Sequence, residues 1–281
     1  MAEQRNIVFV GPGVMAEAIV GGLIQRAGVP ASDIGVSGPR PERLQEFKDR
    51  HGVRVDPDSR SAVAGASTVV LAVKPQTLDD VMRHLRGAVP PQAVVLSIVA
   101  GARLLDLTRG LSHAAVVRSM PNTPAQVGEG ITVWTATPET TPGQRQEAQA
   151  ILASCGQELF VENEDYLDMA TALSGTGPAY VFLFMEAMVD AGVHLGFPRR
   201  IAEALVVQTV RGSVAFYESS PMHLARLRNQ VTSPGGTSAA ALYYLEKAGF
   251  RTALSRAIWA AYERSIQLGQ GRKRGSIDEG G

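Results

Sequence analysis

Short apolar runs rich in β-branched residues alternate with amphipathic stretches along the first half of the chain. Residues 7–10, 34–36, 68–73, 94–98 and 116–117 are such runs, the pattern of strands buried on both faces. Between them, residues 15–27, 41–50, 77–85 and 103–111 carry helical spacing. This order predicts βαβ units and a parallel sheet with helices on both faces. Strands over 132–137 and 158–161, flanking a helix over 142–153, complete the domain. From Glu164 onward the strands stop, and helices are expected over 165–173, 178–195, 198–219, 221–231, 237–248 and 250–268. Several of these open with Pro, whose missing N–H is harmless in a first turn. The expectation is an α/β domain over 1–162, an all-α domain over 163–270 and a loose Gly-rich tail over 271–281.

The composition, 45% hydrophobic and 19% charged, fits a chain with a real core rather than a disordered one. Lys+Arg and Asp+Glu both number 27, so charge gives no reason to expect nucleic acid or an anionic membrane as partner. The five His are scattered without metal-ligand spacing, and Cys155 is the only cysteine. That excludes an intramolecular disulfide and a thiolate metal cluster, and suits a reducing, cytoplasmic setting. No signal-peptide pattern opens the chain, and the longest apolar stretch, 179–185, is too short to span a bilayer.

Directly after the first predicted strand comes Gly11-Pro12-Gly13-Val14-Met15-Ala16. Gly11 permits a tight turn, Gly13 lets the backbone approach a pyrophosphate, and Ala16 allows close helix–strand packing. The helix that follows points its free N–H groups at the phosphates. A glycine turn alone proves little, but its place between a strand and a helix predicts a Rossmann-like dinucleotide site. An NAD site places an acid at the end of the second strand. Here Ser37-Gly38-Pro39-Arg40 stands there, with Arg43 one turn later. A hydroxyl and a guanidinium suit a 2′-phosphate, which favours NADPH over NADH; the other reading of the two arginines is a solvated helix start. Ala72-Val73-Lys74-Pro75 ends the next long strand, where ligands of doubly wound sheets bind. Its backbone is the expected contact, and the Lys74 side chain reads equally well as a surface lysine.

Three further segments are unusually polar and glycine-rich: Val117-Arg118-Ser119-Met120-Pro121-Asn122-Thr123-Pro124 after a strand, Ser174-Gly175-Thr176-Gly177-Pro178-Ala179-Tyr180 joining two helices, and Ser233-Pro234-Gly235-Gly236-Thr237-Ser238 opening a helix. In the last, Gly235 and Gly236 let the backbone curl before a helix whose first N–H groups lack internal partners. Such a cup binds a carboxylate, although Pro-Gly-Gly is elsewhere often a plain turn.

Taken together, these loops resemble those of pyrroline-5-carboxylate reductases over nearly the whole chain, and the Ser-Pro-Gly-Gly-Thr segment is the most specific. The resemblance implies a Rossmann-like N-terminal domain, an all-α C-terminal dimerisation domain, and homodimers that in the family often assemble further into rings of five dimers. It implies reduction of 1-pyrroline-5-carboxylate to proline by NAD(P)H, the last step of proline biosynthesis. Under it, Gly11, Gly13, Val14, Met15, Ser37, Arg40, Ser59, Ala72, Val73, Lys74, Pro75, Met120 and Asn122 fall to the cofactor. Ser233, Gly235, Gly236, Thr237, Ser238 and Thr176 fall to the substrate, with Ser238 on the ring nitrogen and Thr237 beside it as the catalytic pair. The chain departs from the family pattern at Ser238, where a second threonine is usual. It departs again at Arg228-Asn229 in place of Lys-Asp, and at Ser59, where asparagine is common at the ribose.

The chief rival enzyme, a β-hydroxyacid dehydrogenase, takes a proton off an alcohol and needs a base. A lysine should then follow the hinge, but none occurs between Lys74 and Lys247. A catalytically silent NADP sensor is the rival from another class, and it would have little use for the anion cup at 233–238.

Overall fold

The computed structural model describes residues 5–220 and 222–269. Its strands are β1 (Ile7–Val10), β2 (Ile34–Ser37), β3 (Arg54–Asp56), β4 (Thr68–Leu71), β5 (Val94–Ser97), β6 (Val116–Met120), β7 (Gly130–Ala136) and β8 (Gly156–Phe160). They form one sheet in the order β3-β2-β1-β4-β5-β6-β7-β8. Pairing is parallel from β3 to β6, as the alternating pattern predicts. β7 departs from that expectation and runs antiparallel to β6, with β8 parallel to β7. The link from β6 to β7 is too short for a crossover helix, so the chain has to turn back.

Successive residues of β1 point to opposite faces, as the pleat requires. Ile7 and Phe9 join a core with Ile19, Leu23, Phe47 and Ile151, under α1 (Val14–Gln25), α2 (Pro41–His51) and α6 (Pro142–Ala153). Val8 and Val10 join a second core with Leu71, Leu85, Leu107 and Leu111. That face is covered by α4 (Leu78–Leu85) and α5 (Leu104–Leu111). The short helix α3 (Ser59–Ala62) and edge strand β3 escape the periodicity, since each is only a turn or a few polar residues long.

α7 (Asp165–Ala170) does not end in a loop. It runs into a wide π-helical turn, Thr171–Gly175, and then into α8 (Gly177–His194). The polar segment 174–180, expected as a connection, is therefore helical. Thr176 N–H donates to Thr171 O at 2.8 Å, five residues back, and Pro178 costs nothing in the first turn of α8. The resulting run, Asp165–His194, is long and apolar enough by length and composition to cross a membrane, which the short stretch at 179–185 does not suggest. The remaining helices are α9 (Arg199–Glu218), α10 (Leu224–Gln230), α11 (Thr237–Lys247) and α12 (Phe250–Gly269). α10 starts at Leu224 because His223 caps it, accepting from Ala225 N–H at 3.2 Å. Pro221, expected as its first residue, and the expected tail 271–281 lie outside the described residues.

The chain divides into two compact units, one running through Thr176 and taking in the end of α12 from Ala261, the other Gly177–Ala260. The change from α/β to all-α follows β8, but the units part later than residue 162. The reason is that α7 packs on the sheet, Leu167 and Ala170 against Val133. In the second unit Val189, Ala202 and Val206 form a small seam between α8 and α9. Phe182, Leu183, Val207, Val214, Tyr243 and Tyr244 stay exposed, more apolar surface than a lone helical unit leaves in water.

Candidate active site

The glycine turn stands where its sequence context places it, between β1 and α1. Gly11 has φ +109°, and a Cβ there would lie 2.6 Å from the Ala72 carbonyl oxygen, so only glycine fits. Its N–H donates to Ser37 O at 2.8 Å. Gly13 is the N-cap of α1 and has no side chain to satisfy the helix start. The N–H groups of Val14, Met15 and Ala16 have no backbone partner among the described residues. Val14 is exposed and Met15 half-buried. This close-packed turn with open donors fits a dinucleotide pyrophosphate.

Ser37 closes β2 and is fully buried. Its hydroxyl pairs with that of half-buried Ser59 at 2.9 Å. Arg40, the N-cap of α2, is exposed and makes no side-chain hydrogen bond as a cap. Arg43 is differently placed: it pairs with Glu17 and Glu46, donates to Pro12 O at 3.2 Å and stacks over Phe47. Its charge is spent inside the fold, leaving Arg40 as the cation at the end of β2. Partial burial pushes the Glu17 carboxyl up, but hydrogen bonds and charges from Arg43 and Arg50 outweigh it and hold the group below its ordinary range.

Ala72 prolongs the β4 pairing, donating to Val10 O at 2.8 Å, and Val73 is half-buried beside it. Lys74 caps the single turn Pro75–Thr77 and is exposed. Its carbonyl accepts from both Thr77 N–H and the Thr77 hydroxyl at 3.0 Å, while its ammonium forms no ion pair among the described residues. All four residues thus line the carboxyl end of the sheet beside the glycine turn.

Met120 ends β6, and its Cε lies 2.6 Å from the point where a Cβ on Gly175 would stand. Asn122 is buried. It donates to Ser174 O at 3.2 Å and accepts from Ile131 N–H at 2.9 Å. The side-chain amide is therefore a strut that welds the loop after β6 to the π turn, and is not itself free to face a ligand. The Thr176 hydroxyl donates to Thr171 O at 2.8 Å, so toward a ligand it can only accept.

Arg118 was not among the residues that motif reading singles out, yet it is the most buried charge near the loop. The segment 117–120 is strand, not loop, and Arg118 sits inside it, 2% exposed. It donates to Glu164 Oε1 at 2.9 Å and to Asp168 Oδ1 at 3.0 Å. The Ser265 hydroxyl reaches the same Asp168 oxygen at 2.8 Å. An arginine inside an otherwise apolar strand was the available signal.

In the second unit the chain curls ahead of α11. Gly235 has φ +71°, Gly236 N–H donates to Ser233 O at 3.0 Å, and Ala240 N–H returns to Gly236 O at 3.2 Å. Gly236 is the N-cap of α11 and offers no capping side chain. The N–H groups of Thr237 and Ser238 have no backbone partner among the described residues. Ser233 and Thr237 are exposed and Ser238 is half-buried. Two free backbone donors open the helix, and the hydroxyls of Ser233, Thr237 and Ser238 belong to the same short segment, an arrangement that suits a small carboxylate.

Comparison with known proteins agrees with both halves. The family profile described as "Pyrroline-5-carboxylate reductase dimerisation" matches residues 164–268. The profile "NADP oxidoreductase coenzyme F420-dependent" matches residues 6–101. A pyrroline-5-carboxylate reductase of Synechocystis is 42% identical over 93% of this chain and 97% of that protein. The structure of a pyrroline-5-carboxylate reductase from Coxiella burnetii superposes with TM-score 0.87 at 36% identity, covering 95% of this chain and 99% of the other. A Plasmodium falciparum pyrroline carboxylate reductase with NADP bound gives TM-score 0.87 at 30% identity, with the same coverage.

Proposed function

The chain belongs to the pyrroline-5-carboxylate reductase family, and from that premise we propose that it reduces 1-pyrroline-5-carboxylate to L-proline with NADPH as preferred reductant. NADH is the slower alternative. When bound, the cofactor supplies a hydride from C4 of its nicotinamide to the imine carbon. The Gly11–Gly13 turn and α1 hold its pyrophosphate, and Arg40, with Ser37 and Ser59, holds the adenosine end. Ala72 to Pro75 and Met120 border it by backbone and side-chain contact, and Asn122 keeps that border in place.

The observation that carries the substrate reading is the open start of α11. The N–H groups of Thr237 and Ser238 face the substrate carboxylate, with the Ser233 hydroxyl assisting. The Gly236 N–H is taken by Ser233 O, so Gly236 contributes its lack of a capping side chain, and Gly235 supplies the turn that curls the segment. Ser238 holds the ring nitrogen, with Thr237 as its neighbour, and Thr176 is a further substrate-binding residue whose hydroxyl can only accept. The imine carries its proton on arrival, so the protein orients the reactants and needs no general acid.

The same reading makes the working unit a cytoplasmic homodimer, extended to a ring of five dimers. Its helices cover their apolar faces with a second copy rather than with lipid, and it has no nucleic-acid partner. The test is steady-state oxidation of NADPH and NADH by purified protein with five- and six-membered cyclic imine carboxylates. The expected result is turnover of the five-membered substrate, faster with NADPH. No turnover of that imine with either cofactor would refute the reading.

A further inference from the structure

A carboxylate and a guanidinium, Asp168 and Arg118, are buried together where β6 meets α7, with half-buried Glu164 on the other arm of the guanidinium. Charges taken out of water are costly unless fully paired, and apolar residues of similar size often serve stability as well or better. The side chains of Arg118 and Asp168 are only 3% and 5% exposed and paired with each other. Asp168 Oδ1 also takes the Ser265 hydroxyl, and Arg103 stands 3.9 Å from Oδ2. Stability alone does not account for it.

Its place in the chain suggests another role. Arg118 stands two residues before Met120, and Asp168 three residues before Thr171, where the π turn begins. The ion pair therefore fixes the roots of two segments that meet again further on, through Met120 against Gly175 and Asn122 on Ser174. A guanidinium fixes direction as well as distance, since its N–H arms diverge in a rigid plane. An apolar pair at the same spot would hold the roots together but let them slide.

We propose that Arg118 and Asp168 are positioning residues, which keep the Met120 loop and the π turn in one relative placement and thereby set the edge on which the nicotinamide rests. This builds on the reading that Met120 borders the cofactor. Neither residue touches substrate or cofactor.

Three variants test it: Asp168→Asn, the apolar pair Arg118→Met with Asp168→Leu, and Ser265→Ala. Thermal unfolding and NADPH binding by fluorescence come first, then kcat and KM. Hydrogen exchange of the peptides covering 119–127 and 170–177 reports placement without any turnover. An inactive wild-type protein would thus sink the functional reading while leaving this test standing. In the apolar pair, we expect kcat to fall at least about tenfold, KM for NADPH to stay within about threefold, and exchange in both segments to quicken about tenfold, with a melting temperature within about 5 °C of wild type. Asp168→Asn should show the same signs more weakly. If kcat and exchange stay within about twofold of wild type in the variants that fold, the proposal is overturned. It is overturned equally if none of the three folds, because the pair is then a folding element.

Discussion

Asn122 donates its side-chain amide to the Ser174 carbonyl at 3.2 Å, tying the loop after β6 to the π turn before α8. The same side chain accepts from Ile131 N–H, so a buried residue satisfies two backbone groups from distant parts of the chain. Truncation would leave both without a partner. Asn122→Ala should cost about 1–3 kcal/mol of stability, read by urea unfolding. Asn122→Asp should not rescue it, because a carboxylate cannot donate to Ser174 O. A loss below about 0.5 kcal/mol in the alanine variant would show that water replaces the strut.

Arg40 and Arg43 lie close in sequence but have separate tasks. Arg40→Ala should weaken kcat/KM with NADPH by about 1.5–3 kcal/mol, the worth of a charge-assisted contact, and leave NADH nearly unchanged. Arg43→Ala should instead lower stability, since its partners are Glu17 and Glu46. Equal effects of Arg40→Ala on the two cofactors would remove Arg40 from the 2′-phosphate.

Glu17 ties stability to pH. Its carboxyl titrates below the ordinary value in the folded chain. Its stabilisation is therefore present above the unfolded carboxylate range and lost as pH falls through the folded value. Wild-type protein should be more stable than Glu17→Gln at about pH 7, with the difference shrinking toward about pH 3. A difference that does not change over that interval would mean the arginines do not stabilise the charged form.

Much of this was legible in the chain. β1, β2, β4 and β5 announce themselves because central parallel strands are apolar on both faces, and the glycine turn is local, so its context can be read directly. The cup at 233–238 is also local, and its motif names the family. What could not be read depends on partners far apart in sequence or on register. Arg43 and Glu17 are 26 residues apart, and Arg118 and Asp168 are 50 apart, so no spacing rule pairs them. Asp168 lies in a short amphipathic helix and looks like a solvent-facing acid. The π turn changes the hydrogen-bond step without leaving a period in the residues, which is why 174–180 read as a connection. β7 turned antiparallel because of the length of a link, not because of any residue in the strand.

The account stands most directly on the hydroxyls at the start of α11. In the proposed reading the carboxylate there is held by backbone donors that substitution cannot remove, so side-chain changes report on the chemistry. Single-turnover oxidation of bound NADPH by the imine should be measured for Thr237→Val with Ser238→Ala, with Ser238→Thr as the control that restores the family's usual residue. The account predicts a rate lower by on the order of 10²-fold in the double variant, as for loss of an oriented hydrogen-bonding partner at a reacting centre. Ser238→Thr should react at nearly the wild-type rate, and proline should still bind to the double variant. A near-normal rate in the double variant would contradict the account and leave the helix start as an anion clamp with no part in the reduction.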